Sequence, residues 1–403
     1  MVSPELAPSV LAVPRSRIRE IADIAFDMEG VLGLYFGESN QPTPSYIKQA
    51  AVRALDAGFT FYTENAGLLS LREALAGYYQ RMHGVSLDPR REIVVTASGV
   101  QALNVAIRCM LDPGDEALIL TPAWPNGASI VAMSNARAVE VAQPLCGAED
   151  NRDKRYVIDW QALEAAVTPR TRLLLYTSPS NPLGWVATQE DQDRLIAFCR
   201  ARNLWLVADE VYERLWYDGF SYDNAAPATP APSILRKVTR DDAVVVIQSF
   251  SKSYCMTGWR VGWLVARADL AKKATQLNEF IVSHAPSFAQ KAAETALAEG
   301  EPEIARMAGR LKTNRDYCLH AMQQMPRISL PRPEGAFYLF PKIEGLADSF
   351  EFCRRLLIEK RVGLAPGVAF GLGGEGSIRV CYAADREVLE PAMERLNRFL
   401  NGI

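Results

Sequence analysis

The chain has 403 residues, 49% of them hydrophobic and 23% charged, with a formal net charge of -3. That length favours two packed domains over one core, and the composition excludes a disordered chain. The charge balance offers no general attraction to nucleic acid or to an anionic membrane, and no stretch approaches the ~20 apolar residues of a membrane span.

Residues 1–16 are rich in Pro and Ser and read as a loose arm, without the charged start and apolar run of a signal peptide. RIREIADIAFDM spaces Ile18, Ile21, Ala22 and Ala25 for a short amphipathic helix. SYIKQAAVRALDAG reads as a helix with Gly58 as its C-cap. SLREALAGYYQRM reads as another, with Ser70 as N-cap and Glu73 in the capping-box place. EIVVTA (92–97), EALILT (116–121), RLLLYT (172–177), LWLVAD (204–209), AVVVIQ (243–248) and GWLVAR (262–267) read as short apolar strands. Helical stretches such as QEDQDRLIAFCRARN lie between several of them. Near-continuous apolar strands alternating with helices imply an α/β fold, a mostly parallel sheet sandwiched by helices.

Beyond about residue 290 come long polar helices, as in KAAETALAEGEPEIARMAGRLKTNRDYCLHAMQQM, then the strand candidates GAFYLF and SIRVCYA. These read as a smaller α+β unit. The organisation expected is an N-terminal arm and helix over 1–45 that join the small domain, a large domain over 46–290, and a small C-terminal domain over 291–403. Seven scattered cysteines without a CxxC pair, and only three histidines, point to a reduced, cytoplasmic protein with no zinc or His-built metal site.

Sheets of this kind place ligands at the C-terminal ends of their strands, so the residues just beyond each strand are the candidates. After EIVVTA, Ser98 and Gly99 open a helix whose free N–H groups suit an anion; taken alone, an ordinary N-cap is the better explanation. After EALILT, Trp124 offers a face for a flat ring, or simple packing. Asn181-Pro182 after RLLLYT is turn chemistry. Asp209 ends a buried run, where a carboxylate is costly unless paired; it serves as a helix N-cap or as the counter-ion of a cation such as a protonated ring nitrogen. Lys252, after AVVVIQ, is a surface lysine or a desolvated amine nucleophile, and Arg260 carries a fork suited to phosphate. One ligand accounts for all of them jointly: a phosphate, a flat ring with a basic nitrogen and an aldehyde, which is pyridoxal phosphate.

With these residues in view the chain resembles the class I/II aminotransferases, the fold type I pyridoxal-phosphate enzymes. The likeness runs through LYFGESNQPTP, FYTENAGLLSLREALAGYY, TASGVQAL, PGDEALILTPAWP, SPSNPLG, ADEVY, SFSKSYCMTGWRVGW, EGAFYLFP and SIRVCYA. The resemblance implies Lys252 as the Schiff-base lysine and proton shuttle, and Asp209 as partner of the ring nitrogen. Tyr212 and Asn181 would bond the ring oxygen, and Trp124 would stack on the ring. Ser98, Gly99, Val100, Ser249 and Arg260 would hold the phosphate. It further implies that Tyr62 reaches the phosphate of a second copy in a homodimer with shared active sites. Arg379 would grip the substrate α-carboxylate, and Gly37 would let the N-terminal segment approach it.

Val100 stands where some relatives carry Ser or Thr, and Leu183 stands where Asn-Pro-Thr-Gly is usual. The function expected is transfer of an amino group from an L-amino acid to a 2-oxo acid by a ping-pong mechanism. Lyases, synthases and oxidases on the same scaffold are the alternative. GLGGEG (371–376) formally fits a nucleotide fingerprint but precedes a strand, and SFSK lacks the companions of a serine acyl-enzyme. A regulator with an aminotransferase-like sensor would carry an added DNA-binding domain, for which the sequence shows no segment. No cation for a second substrate carboxylate is identifiable. Tyr35, Trp124, Leu183 and Tyr338 indicate a partly apolar pocket.

Overall fold

The six apolar runs all become strands of one sheet, and a seventh, more polar strand completes it at an edge. In this computed structural model, which describes residues 5–11, 13–147, 154–217 and 229–402, the strands are β1 (Ile93–Thr96), β2 (Glu116–Thr121), β3 (Arg137–Ala142), β4 (Thr171–Thr177), β5 (Trp205–Asp209), β6 (Val244–Ser249) and β7 (Gly262–Ala266). Their spatial order is β1-β7-β6-β5-β4-β2-β3. Neighbours pair parallel except at β7, which runs antiparallel to both β6 and β1. Strand β3 escapes a search for apolar runs because RAVEVA puts Arg137 and Glu140 on a half-covered edge.

Side chains alternate between two apolar layers, as a strand requires. Ala117 and Ile119 join one layer with helix Gly99–Met110, whereas Leu118 and Leu120 face the other. Strands β1, β2, β4, β5 and β6 all leave the sheet at one edge, so the turns after them gather there. After β6 the chain reverses through residues 250–261 and enters β7 antiparallel, which keeps those residues at the same edge.

A smaller sheet has the order β8-β10-β9, where β8 is Tyr338–Leu339, β9 is Ala365–Pro366 and β10 is Ile378–Cys381. Leu32–Gly33 pairs parallel with Val362–Gly363. Helix Arg17–Phe26 packs on Ser349–Lys360, burying Ile18, Ile21, Ala22 and Ala25 as their spacing predicts. Among the described residues no helix is long and apolar enough to cross a membrane.

One helix start differs from expectation, for a physical reason. The helix expected to be capped by Ser70 begins at Leu69 with Leu68 at the cap. The Leu68 N–H donates to Gln290 Oε1 at 2.7 Å, while Ser70 Oγ donates to Glu294, so a distant amide replaces the local capping box. Helix Ser45–Asp56 ends at Gly58 as expected: its left-handed φ of 80° lets the Gly58 N–H reach the Leu55 carbonyl and the Phe59 N–H the Ala54 carbonyl, both at 3.0 Å. The long helical run after residue 290 divides at Gly300 into Ser287–Glu299 and Glu301–Gln323, because Pro302 has no N–H with which to continue the ladder.

Gly262 opens β7 directly against the turn after β1. A Cβ there would collide with the Gly99 nitrogen and the Ser98 carbonyl carbon. No rotamer change relieves a clash with backbone, so Gly262→Ala is expected to lower folding stability by about 1–3 kcal/mol. The denaturation midpoint reads this; an unchanged midpoint would mean the two segments separate freely.

Candidate active site

The gathered strand ends form one side of a cleft of about 350 Å³. Twelve of the thirteen residues to which the resemblance gives a role line it: Gly37, Ser98, Gly99, Val100, Trp124, Asn181, Asp209, Tyr212, Ser249, Lys252, Arg260 and Arg379; of the expected apolar wall, Tyr35 and Tyr338 line it too, whereas Leu183 is buried in the core. Tyr62 does not. It is 90% exposed and sits edge-on to His284, with ring centroids 5.6 Å apart.

One end of the cleft is a backbone cradle. Ser98 holds φ at 119°, a conformation that side-chain-bearing residues rarely adopt, and its Oγ accepts the Gln101 N–H at 3.3 Å. The helix that follows, Gly99–Met110, opens its first N–H groups and the positive end of its dipole on the cleft. A Cβ on Gly99 would lie 3.3 Å from both the Gln248 carbonyl oxygen and Ser249 Cβ, so the close approach of β6 favours glycine. Ser249 Oγ is 2.8 Å from Ser251 Oγ. Arg260 donates from Nη1 to the Thr257 carbonyl at 2.6 Å and pairs with no carboxylate among the described residues. Amide N–H groups, hydroxyls and a guanidinium, with no protein anion between them, fit a phosphate group.

In the middle lie two buried groups of opposite charge. Asp209, 6% exposed, accepts the Val211 N–H at 3.3 Å. Burial pushes its carboxyl up to about 6, against the pull of that N–H and of Lys252. Lys252, on the turn Phe250–Ser253, donates from Nζ to the Gly37 carbonyl at 2.6 Å. Burial lowers its ammonium to about 8, and Arg379 adds to this while Cys381, Glu38 and Asp209 oppose it. The neutral amine is thus accessible near physiological pH.

At the other end Arg379, 2% exposed, donates from Nη1 to Asn181 Oδ1 at 2.9 Å and from Nη2 to the Tyr35 carbonyl. Its Nε is buried without a partner. Tyr212, buried, places its hydroxyl 2.7 Å from that of Tyr338. Beneath this turn Glu213 receives the Tyr78 hydroxyl and faces His83 Nε2 at 2.9 Å. Burial drives the neighbouring Glu210 up to about 8, with Glu213 adding to the rise.

Sequence reading missed several lining residues. Tyr338 was read only as apolar wall, although its hydroxyl faces Tyr212. Ser251 belongs to the SFSK run but was not singled out. Arg19 adds a cation to the cleft wall that the sequence did not reveal, because nothing local marks a residue on the exposed face of an N-terminal helix. It lines the cleft with its guanidinium 4.9 Å over the Phe36 ring.

The profile of the family "Aminotransferase class I and II" matches residues 30–396. The chain is similar to the aspartate aminotransferase of Pyrococcus horikoshii, 33% identical over 98% of this chain and 97% of that protein. It is also similar to the aromatic-amino-acid aminotransferase 2 of Thermococcus litoralis, 34% identical over 96% and 95%. Among solved structures, the aspartate aminotransferase of Thermus thermophilus with maleate superposes with a TM-score of 0.88 at 31% identity, covering 99% of this chain and 100% of that one.

Asp209 carries a stability cost of known sign. Its folded-state pKa is raised from 3.8 to about 6, so the cost is absent below the first value and complete above the second. Asp209→Asn is therefore expected to stabilise the cofactor-free protein at pH 8, by up to about 3 kcal/mol, with the gain fading toward pH 4. Melting curves across that range check it; equal melting at pH 8 would contradict the buried charge.

Proposed function

The chain belongs to the class I and II aminotransferases and is an aminotransferase, and on that premise we propose that it transfers the amino group of an L-amino acid to a 2-oxo acid in a ping-pong reaction with pyridoxal phosphate as cofactor. What carries the reading is the set of partners the cleft's groups lack. Among the described residues the cradle at Gly99 holds no protein anion and Asp209 has no salt-bridged cation, and a lysine of lowered basicity lies with them.

Bound pyridoxal phosphate supplies an electron sink conjugated to the substrate Cα, from which a proton can then leave. Ser98, Gly99, Val100, Ser249 and Arg260 would hold its phosphate. Asp209 would serve as counter-ion to the ring nitrogen, Trp124 would cover the ring face, and Tyr212 and Asn181 would bond the ring oxygen. Lys252 would hold the aldehyde through its amine, and as an uncharged amine it would be the group that takes the substrate Cα proton and returns it. A basicity lowered to about 8 suits an amine that must be uncharged to do this. Arg379 engages the substrate carboxylate with a guanidinium already fixed by Asn181 and Tyr35.

The division proposed is 1–45, 46–290 and 291–403, which draws Gly37, Lys252 and Arg379 from the three parts in turn and places its second boundary inside helix Ser287–Glu299. Tyr62 is read as serving the phosphate site of a second copy, in a homodimer with shared active sites. Its surroundings support this: Phe61 is 80% exposed and Phe280 84%, beside the exposed Ile281 and Val282. Free cysteines accord with a cytoplasmic location. Arg19 favours a second carboxylate on at least one substrate, with 2-oxoglutarate as acceptor.

Protein loaded with pyridoxal phosphate should show the visible band of lysine-bound cofactor. Anaerobic addition of a substrate amino acid should replace it with the absorption of the amine form, with a 2-oxo acid released. Product forming while the band persists would point to lyase or synthase chemistry instead. Lys252→Ala should retain the cofactor yet lose at least about 10³-fold in turnover; full activity would show the lysine misassigned. Arg19→Ala should raise KM for 2-oxoglutarate by roughly tenfold and leave pyruvate unchanged, the size of one hydrogen bond between charged groups. Equal effects on both acceptors would remove Arg19 from substrate recognition.

A further inference from the structure

Tyr338 begins strand β8 and is 0% exposed, yet it touches three separately supplied parts of the cleft. Its hydroxyl lies 2.7 Å from that of Tyr212. Its ring lies under Arg379, with the guanidinium carbon 4.6 Å from the centroid. Its hydroxyl oxygen also occupies the space that a Cβ on Gly37 would need. We propose that Tyr338 is a positioning residue with two separable tasks: its hydroxyl strengthens Tyr212 as a hydrogen-bond donor to the cofactor ring oxygen, and its ring holds Arg379 in place for the substrate carboxylate. This rests on the roles proposed above for Tyr212, Lys252 and Arg379.

Proton counting fixes the direction of the first task. Each phenol carries one proton. If Tyr212 gives its own to the ring oxygen, the bond between the two tyrosines must use the proton of Tyr338. A phenol that accepts a hydrogen bond becomes a better donor, because bonds in a chain polarise one another. The environment agrees: burial drives Tyr212 upward, and the Tyr338 hydroxyl pulls it back down. A ring oxygen bonded more strongly by Tyr212 shares less charge with the proton on the Lys252 nitrogen when that nitrogen is joined to the cofactor. Tyr338 therefore helps that proton leave at lower pH.

The second task is electrostatic. A buried guanidinium over an aromatic face is held by the ring's negative quadrupole. Phe370 adds a second ring, 4.9 Å from the guanidinium carbon. Asn181 and the Tyr35 carbonyl fix the fork in its plane, and the two rings fix it out of plane. The ordinary alternative is a core tyrosine whose hydroxyl merely needs a partner; it predicts no effect on the proton at Lys252.

The test is a pH titration of the visible absorption of protein loaded with pyridoxal phosphate, together with KM for the amino acid. Tyr338→Phe keeps the ring and should raise the titration midpoint by about 0.4–1 pH unit, the worth of one neutral hydrogen bond, with KM within about twofold of the parent. Tyr338→Leu should raise the midpoint similarly and raise KM roughly tenfold or more. In a Tyr212→Phe background, adding Tyr338→Phe should not move the midpoint further. A visible band that Tyr338→Phe does not shift overturns the first task, as does a further shift in the double variant. Equal KM values for the Phe and Leu variants overturn the second. Absence of any visible band in the parent protein would overturn the cofactor reading itself, which separates that failure from this one.

Discussion

The Lys252 amine donates to the Gly37 carbonyl at 2.6 Å across 215 residues of sequence. This contact ties the reversal after the sixth strand to the segment that follows the N-terminal helix, and it closes the cleft over the strand ends. An amine buried there is desolvated, which disfavours its charged form. Arg379 presses in the same direction, while Cys381, Glu38 and Asp209 press against it. The resulting balance, near 8, depends on distant stretches of chain being in place together.

The rest of the cleft is arranged around groups the fold leaves incompletely satisfied. A domain selected only for stability would pair Asp209, give the position of Ser98 to glycine, and bond Arg379 Nε. Here Asp209 is buried and raised, Ser98 keeps a side chain at φ 119°, and Nε has no partner. Departures from local rules that cluster in one cleft mark a ligand site, and their types suit anionic groups at the two ends and a cation in the middle. The cost is met by the surroundings, where sheet layers on both faces are continuously apolar.

Beneath the site a buried polar network holds the turn that carries Tyr212. Glu213 takes the Tyr78 hydroxyl and faces His83, while Glu210 accepts the Ile234 N–H at 2.8 Å. Arg214 pairs with Glu301 at the start of the long helix Glu301–Gln323. One turn of chain, 209–214, thus presents Asp209 and Tyr212 to the cleft and anchors Glu210, Glu213 and Arg214 in the core behind. The alternation is what lets a short loop hold two side chains still.

By itself the sequence determined the six apolar strands, the helix between Arg17 and Phe26, and the candidates at the strand ends, because each is written in local periodicity or in a run of adjacent residues. It missed β3, whose edge position permits charges, and it misplaced the cap of helix Leu69–His83, which a glutamine 222 residues away supplies. Only the tertiary structure decided that Tyr338 meets Tyr212 across 126 residues, that Asn181 meets Arg379 across 198, and that Arg19 faces the cleft. It also left Tyr62 outside the cleft of its own chain. The physical reason is one of range. Propensity and patterning act between near neighbours and survive in the order of residues, whereas hydrogen bonds, ring contacts and desolvation act through space and exist only once the chain has closed on itself.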